Sequence, residues 1–319
     1  MDRDTVDELD QYLLRALQLD GRAPFSRIAR DREVSERTVA RRYRRLRGLG
    51  LRITGRPVSS RLGLSRWLLR LHCAPDAAGT VAGALARRSD TSWVTIASDG
   101  TELYCALDAR SADELNALLL EKLPRTPRVL SVSAHCMMRV FLGASSTWHA
   151  TRFGPQRTAA AVPSPAPSAT PLDLDTTDHI LFKELARDGR ASLPELAAAA
   201  HRSPSSIQRH LDRLRSAGAL NLSVDFDPRL LGYRTAIRIW LNVAPAHLRI
   251  VGETLATHAQ IAFAAATTGT SNLVASGIFR DPADLYDYID RRISPLPGVR
   301  HIETAVTLWE VKRLAPVPT

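Results

Sequence analysis

DQYLLRALQLDGRA at residues 10–23 returns as DHILFKELARDGRA at residues 178–191. Residues 10–53 align with residues 178–221 without a gap, through Ala29/Ala197, Ser35/Ser203, Arg41/Arg209, Arg45/Arg213, Leu46/Leu214 and Gly50/Gly218. After a two-residue slip the register continues through Pro75/Pro245, Leu103/Leu273, Arg110/Arg280, Pro127/Pro297 and Val129/Val299. Self-similarity at one long period marks a duplication, here of a unit of roughly 145 residues. Arg152 to Pro171, between the copies, is rich in Ala, Pro and Ser and reads as an extended linker.

Each unit opens with a helical pattern. Val6, Leu9, Leu13, Ala16 and Leu17 fall on one face of a first helix that stops before Gly21. Phe25, Ile28 and Ala29 make a short second helix. Ser35 caps a third, and its buried stripe is Val39, Tyr43 and Leu46. In the second copy Ser203 is the cap, Pro204 sits where its missing amide costs nothing, and Ile207, Leu211 and Leu214 are the stripe. Three short helices with a polar third face form a helix-turn-helix pattern. Leu51 to Val58 and Ala219 to Phe226 are apolar stretches suited to wing strands.

The polar faces carry the chemistry. In the first copy Arg37, Thr38, Arg41, Arg42, Arg44 and Arg45 are the candidate DNA contacts; in the second, Ser205, Ser206, Gln208, Arg209 and Arg213. Arginine neutralises phosphates and reads guanine edges with its planar fork. From Arg37 to Arg61 there are nine arginines and no acidic residue, a cluster that repels itself without a polyanion. The net charge of +10 points the same way. Of the 43 basic residues only three are Lys, a skew that also arises from a GC-rich coding sequence, so the placement of the arginines matters more than their number.

The second half of each unit alternates strand and helix signals in the order βαββαβ. In the first copy these are Trp67–Cys73, Ala77–Arg88, Ser92–Ser98, Leu103–Leu107, Ser111–Leu123 and Val129–Val140. In the second they are Thr235–Val243, His247–Thr257, Ile261–Thr267, Leu273–Phe279, Pro282–Ile293 and Val299–Val311. This is the ferredoxin-like split unit, an antiparallel sheet with helices on one face. The fold class is therefore α+β: two winged helix-turn-helix domains (1–61 and 173–227) alternating with two ferredoxin-like sensor domains (62–150 and 228–319), with a linker over 151–172.

Strand parity puts Cys73, Cys105 and Cys136 on the helix-facing side as core residues, and His72 and His135 on the opposite face. That separation, with the odd cysteine count, excludes a zinc knuckle and a disulfide framework. No metal or cofactor is expected. The other sheet face is half apolar, with Leu68, Trp93 and Met137 in one copy and Trp240 and Trp309 in the other, so it wants a partner. The economical expectation is that the two sheets pack together within one chain as a pseudo-dimer, with further association of whole chains; the alternative is pairing of sheets between chains. No run approaches the length of a membrane span, and the acidic N-terminal segment does not read as a signal peptide, so a cytoplasmic location is expected.

The chain resembles two fused members of the Lrp/AsnC, or feast/famine, regulator family. The resemblance rests on Asp178 and Asp188-Gly189-Arg190, on Ser203-Pro204-Ser205-Ser206-Ile207 through Leu214, and on Ala217-Gly218. It continues through Asp227-Pro228, Leu231-Gly232-Tyr233 and Leu296-Pro297-Gly298-Val299. It implies a transcription regulator that binds double-stranded DNA, dimerises and assembles further through its sensor domains, and responds to a small metabolite such as an amino acid. The family's ligand-linked turn usually carries Gly followed three residues later by Asp. Here the corresponding turns are Gly269-Thr270-Ser271-Asn272 and Asp99-Gly100-Thr101-Glu102, and both depart from that pattern. Proteins similar to this family decarboxylate siroheme. The histidines they carry near the second and third strands are absent from residues 92–95, 103–106, 260–263 and 273–276, so an enzyme is not expected.

Overall fold

In the computed structural model the described residues are 6–143 and 171–313. The linker expected at 151–172 lies almost wholly outside them.

The first copy runs α1 (Glu8–Leu19), α2 (Phe25–Asp31), α3 (Glu36–Gly48), β1 (Arg52–Pro57), β2 (Ser65–Cys73), α4 (Ala78–Ala86), β3 (Thr91–Ala97), β4 (Glu102–Ala109), α5 (Ala112–Asn116) and β5 (Val129–Leu142). The second runs α6 (Thr176–Arg187), α7 (Leu193–Ala200), α8 (Pro204–Ser216), β6 (Leu220–Asp225), β7 (Thr235–Val243), α9 (Leu248–Leu255), β8 (Ile261–Thr267), β9 (Leu273–Phe279), α10 (Pro282–Tyr288) and β10 (Val299–Lys312). The caps read from sequence are in place. Ser35 Oγ accepts from Thr38 N at 3.1 Å, and Ser203 Oγ from Ser206 N at 3.3 Å. The last helix of each copy widens into a π-turn, at Ala117–Lys122 and Ile289–Ile293, where one regular helix was expected.

The eight strands of the two sensor units close into one barrel, in the order β10-β3-β4-β2-β5-β8-β9-β7. Each copy supplies four neighbouring strands. The joints are β5 against β8 and β10 against β3, both antiparallel. The structure adopts the expected pseudo-dimer within one chain, not pairing of the sheets between chains. Closure removes the sheet edges and buries the half-apolar faces. Leu68, Tyr104, Trp240, Ala265, Val274 and Ala305 fill the middle of the barrel. Trp309 does not join them: it is 61% exposed, beside a register shift in β10 that turns it outward. Cys73 and Cys105 lie in the core under α4, as parity requires, while Cys136 is only half-buried.

The wings differ from the expectation of two separate ones. β1 and β6 pair with each other, from Arg52↔Asp225 to Pro57↔Leu220, as one ribbon between the copies. The core of α1–α3 is completed by Val224 and Phe226 from the second copy. The duplicated Asp-Gly-Arg-Ala run makes this crossing possible. Arg22 donates to the carbonyls of Gly189 and Ala191 at 2.9 and 2.7 Å. Arg190 returns the contact to Gly21 and Ala23 at 2.9 and 3.1 Å. Gly189 N donates to Ile53 O at 2.7 Å, and a Cβ there would stand 3.1 Å from the Ile53 backbone. The glycine is needed for this close approach.

Candidate nucleic-acid interface and sensor barrel

α3 presents two kinds of arginine. Arg37, Arg41 and Arg44 are exposed and make no ion pair among the described residues. Arg42 and Arg45 border the buried stripe and turn inward instead. Arg45 Nη1 lies 2.6 Å from Asp10, which is fully buried on α1, and Arg42 lies 2.7 Å from Asp7 and 3.3 Å from Asp10. The second copy repeats the clamp: buried Asp178 accepts from Arg213 and, at 3.0 Å, from His210. Arg42, Arg45 and Arg213, grouped with the DNA contacts on sequence, thus brace the third helix against the first. A buried carboxylate without partners is costly, and these arginines supply them. The signal was available. Asp10/Asp178 and Arg45/Arg213 are both identities of the repeat, and each Asp sits on the apolar stripe of its helix.

The two clamps differ electrically. Burial, reinforced by the Asp7 charge, raises the Asp10 pKa despite Arg42 and Arg45. Burial opposes ionisation at Asp178 too, but hydrogen bonds from Arg213 and His210 outweigh it and hold that carboxyl below its ordinary value. Outside the clamps, Arg47 pairs with Asp188 at 2.9 Å and Arg215 with Asp20 at 3.3 Å, locking each third helix to the other copy.

On α8, Ser205 and Arg209 are exposed, and the Ser205 hydroxyl touches the Ser203 cap at 3.1 Å. Gln208 Nε2 donates to Asp212 at 2.8 Å, which occupies part of its face. Ser206 and Arg209 join His201, Arg202 and Ser203 around an open groove at the helix start. Free helix amides and arginine together suit a phosphate. Thr38, the counterpart on α3, is 2.9 Å from its cap hydroxyl.

The two turns singled out by the family resemblance are closed by local bonds. Glu102 is buried, bonds to Arg70 and accepts from Ser98 Oγ at 2.6 Å; Arg70 also reaches Glu303 of the second copy. Asp99 accepts from Thr101 N and Oγ1, with Gly100 between them at φ 86°. Asn272 exchanges two hydrogen bonds with Val243, at 2.9 and 2.7 Å, and Ser271 O accepts from Thr267. Thr270 O accepts from Asn242 at 2.7 Å, and Gly269 takes φ 110° against the His135 ring. Neither turn lines the enclosed cavity of the barrel. That cavity lies at the opposite end of the barrel, holds about 120 Å³, and is walled by both sheets and the end of β6.

Two helix-turn-helix heads crossed through a shared ribbon, above a barrel of two ferredoxin-like units, define a pseudo-dimeric DNA-binding protein with a sensor module. Family models agree along the chain. Residues 6–47 match the AsnC-type helix-turn-helix domain, residues 174–220 a winged helix-turn-helix DNA-binding domain, and residues 237–317 the Lrp/AsnC ligand binding domain. The chain belongs to the Lrp/AsnC family, as a tandem duplication. The HTH-type transcriptional regulator FL11 of Pyrococcus horikoshii is 27% identical over 148 residues, which are 46% of this chain and 97% of that protein. LrpA of Mycobacterium tuberculosis is 44% identical over 61 residues, 19% of this chain and 41% of its own length. Among solved structures, the siroheme decarboxylase NirDL superposes with a TM-score of 0.64 at 16% identity, covering 97% of this chain and 93% of that one. At that identity the likeness is one of fold.

Proposed function

We propose that this chain is a sequence-specific transcription regulator that reads an asymmetric DNA site with α3 and α8. Arg37, Arg41 and Arg44 carry the reading: three exposed arginines, without ion pairs among the described residues, on a capped helix of an AsnC-type domain. Thr38, Ser205, Ser206, Gln208 and Arg209 add contacts to phosphate or base edges. The two helices differ in sequence, so the preferred half-sites should differ. The Lrp/AsnC ligand binding domain supports modulation by a small metabolite, through the turns Asp99–Glu102 and Gly269–Asn272 or through the barrel. Association of whole chains and action in the cytoplasm complete this reading. Among the described residues no helix is long and apolar enough to cross a membrane.

The regulator reading is favoured over a siroheme-type enzyme because, among the described residues, no histidine lines this cavity and its volume of about 120 Å³ is small for a tetrapyrrole. A colourless purified chain agrees with it; a visible absorbance band from bound tetrapyrrole would reverse the choice.

The test is binding of genomic fragments across a salt series. Tight, selective binding that falls steeply with salt is expected, because each neutralised phosphate releases counterions. Arg37→Ala, Arg41→Ala and Arg44→Ala together should cut affinity about 100-fold or more and lower the salt slope by about three. Unchanged affinity would remove α3 as the reading helix.

A further inference from the structure

The barrel cavity holds an arginine that no carboxylate grips directly among the described residues; Glu310, whose charge reaches it, is bound by Arg313. Arg238, on the inward face of β7, is mostly buried. It donates to Ser276 Oγ at 2.7 Å and lies 5.3 Å from the Tyr104 ring centroid. It makes no ion pair among the described residues, and its remaining N–H groups have no protein acceptor there. A guanidinium partly withdrawn from water is stabilised by an anion beside it. Burial lowers its hold on its proton, the direction expected of such a charge.

The other charges on the wall are already matched. Arg66 faces Asp108 at 3.4 Å, and Arg313 binds Asp225 at 2.8 Å and Glu310 at 2.5 Å. No carboxylate is left over for an ammonium group. The rest of the wall is apolar: Leu68, Trp93, Met137, Phe263 and Ile278. Trp93 is held at φ 53°, a strained conformation for a non-glycine residue, at an irregularity in the β3–β4 ladder.

We infer that this cavity binds a small organic acid without an ammonium group, its carboxylate on Arg238 and its apolar body against Leu68, Trp93 and Phe263. A cavity of ~150 Å³ accepts benzene, so about 120 Å³ limits the ligand to a body of at most about one ring. An apolar pocket with a few convergent polar groups is the usual form of a ligand site. The duplication makes the site one-sided. Leu68 pairs with Ala106 where Arg238 pairs with Ser276, and Arg66 pairs with Asp108 where Ala236 pairs with Ile278. Two identical chains could not place one arginine opposite one leucine across the barrel. Occupancy also reaches the reading heads: Asp225 and Phe226 border the cavity, Arg313 holds both, and Phe226 packs into the core of α1–α3.

This inference names the ligand class for the sensor module of the regulator reading, but its test does not need DNA. The full chain is titrated calorimetrically with phenylacetate, phenylacetamide and phenylglycine, which share one skeleton. Phenylacetate should bind once per chain, and the other two at least about tenfold more weakly, since a charge-assisted hydrogen bond is at stake. Arg238→Leu should reduce phenylacetate to the level of the amide while the ligand-free melting temperature holds or rises. Ser276→Ala, a milder change, should lose part of the affinity. No heat at millimolar phenylacetate, equal binding of the amide, or unaltered binding by Arg238→Leu overturns the inference and leaves the DNA reading intact. Phenylacetate binding without any DNA binding would instead sink the regulator and leave the site.

Discussion

The two helix-turn-helix heads share a backbone plan and differ in what their third helices hold out to solvent. α3 exposes three arginines without ion pairs among the described residues; α8 exposes one arginine, Ser205 and a Gln208 tied to Asp212. Beneath these faces both heads keep the same buried carboxylate on the first helix, gripped by an arginine of the third. Duplication has preserved the brace and let the reading surface diverge. The barrel teaches the same lesson, since its strands superimpose in register while Arg238 stands where the other copy has Leu68.

The clamps offer the largest test of that comparison. Asp178→Asn leaves Arg213 and His210 without their buried anion and should cost about 3 kcal/mol in chemical denaturation. Asp10→Asn should cost about 1 kcal/mol, because the fold already disfavours ionised Asp10. Equal losses would mean that the two clamps work alike.

The crossing ribbon offers the next. A Cβ on Gly189 meets the Ile53 backbone, which cannot rotate away, whereas one on Gly21 meets only side chains of Leu222 and Ile53. Gly189→Ala should therefore lower stability by about 2 kcal/mol, and Gly21→Ala by about half that. The reverse order, read from melting temperatures, would mean that the ribbon yields where it is drawn as rigid.

The smallest effect is in pH. The Asp178 pKa is depressed below 3.8, so its stabilisation is complete above that value and fades as pH falls through the folded-state pKa. Asp10 is raised, so its contribution is greatest below 3.8 and fades as pH climbs through its folded-state value. Acidification from neutral to about pH 3 should thus weaken the second head relative to the first. Amide exchange at Leu211 and Leu214, against Val39 and Leu46, would show it. Parallel loss of protection in both heads would erase the distinction.

Much of this was legible in the chain. The caps at Ser35 and Ser203, the strand order, and the parity that sends Leu68 and Trp240 to one face followed from spacing. Three things did not. Arg42 and Arg45 sit at the margin of a helical stripe, where a wheel cannot tell an outward from an inward side chain. β1 and β6 are each apolar enough for a wing, and only the paired glycines of the Asp-Gly-Arg-Ala run hint that they cross. The Arg238 cavity depends on closing two sheets into a barrel, and no local pattern marks a residue whose neighbours come from four strands.

Selection of binding sites from random duplexes by the full chain bears most directly on the central claim. Two unlike half-sites should emerge, with Arg37→Ala, Arg41→Ala and Arg44→Ala relaxing one of them and Arg209→Ala the other. Recovery of a perfect palindrome, weakened on both sides by the α3 changes, would contradict it and show two chains each reading with the same helix.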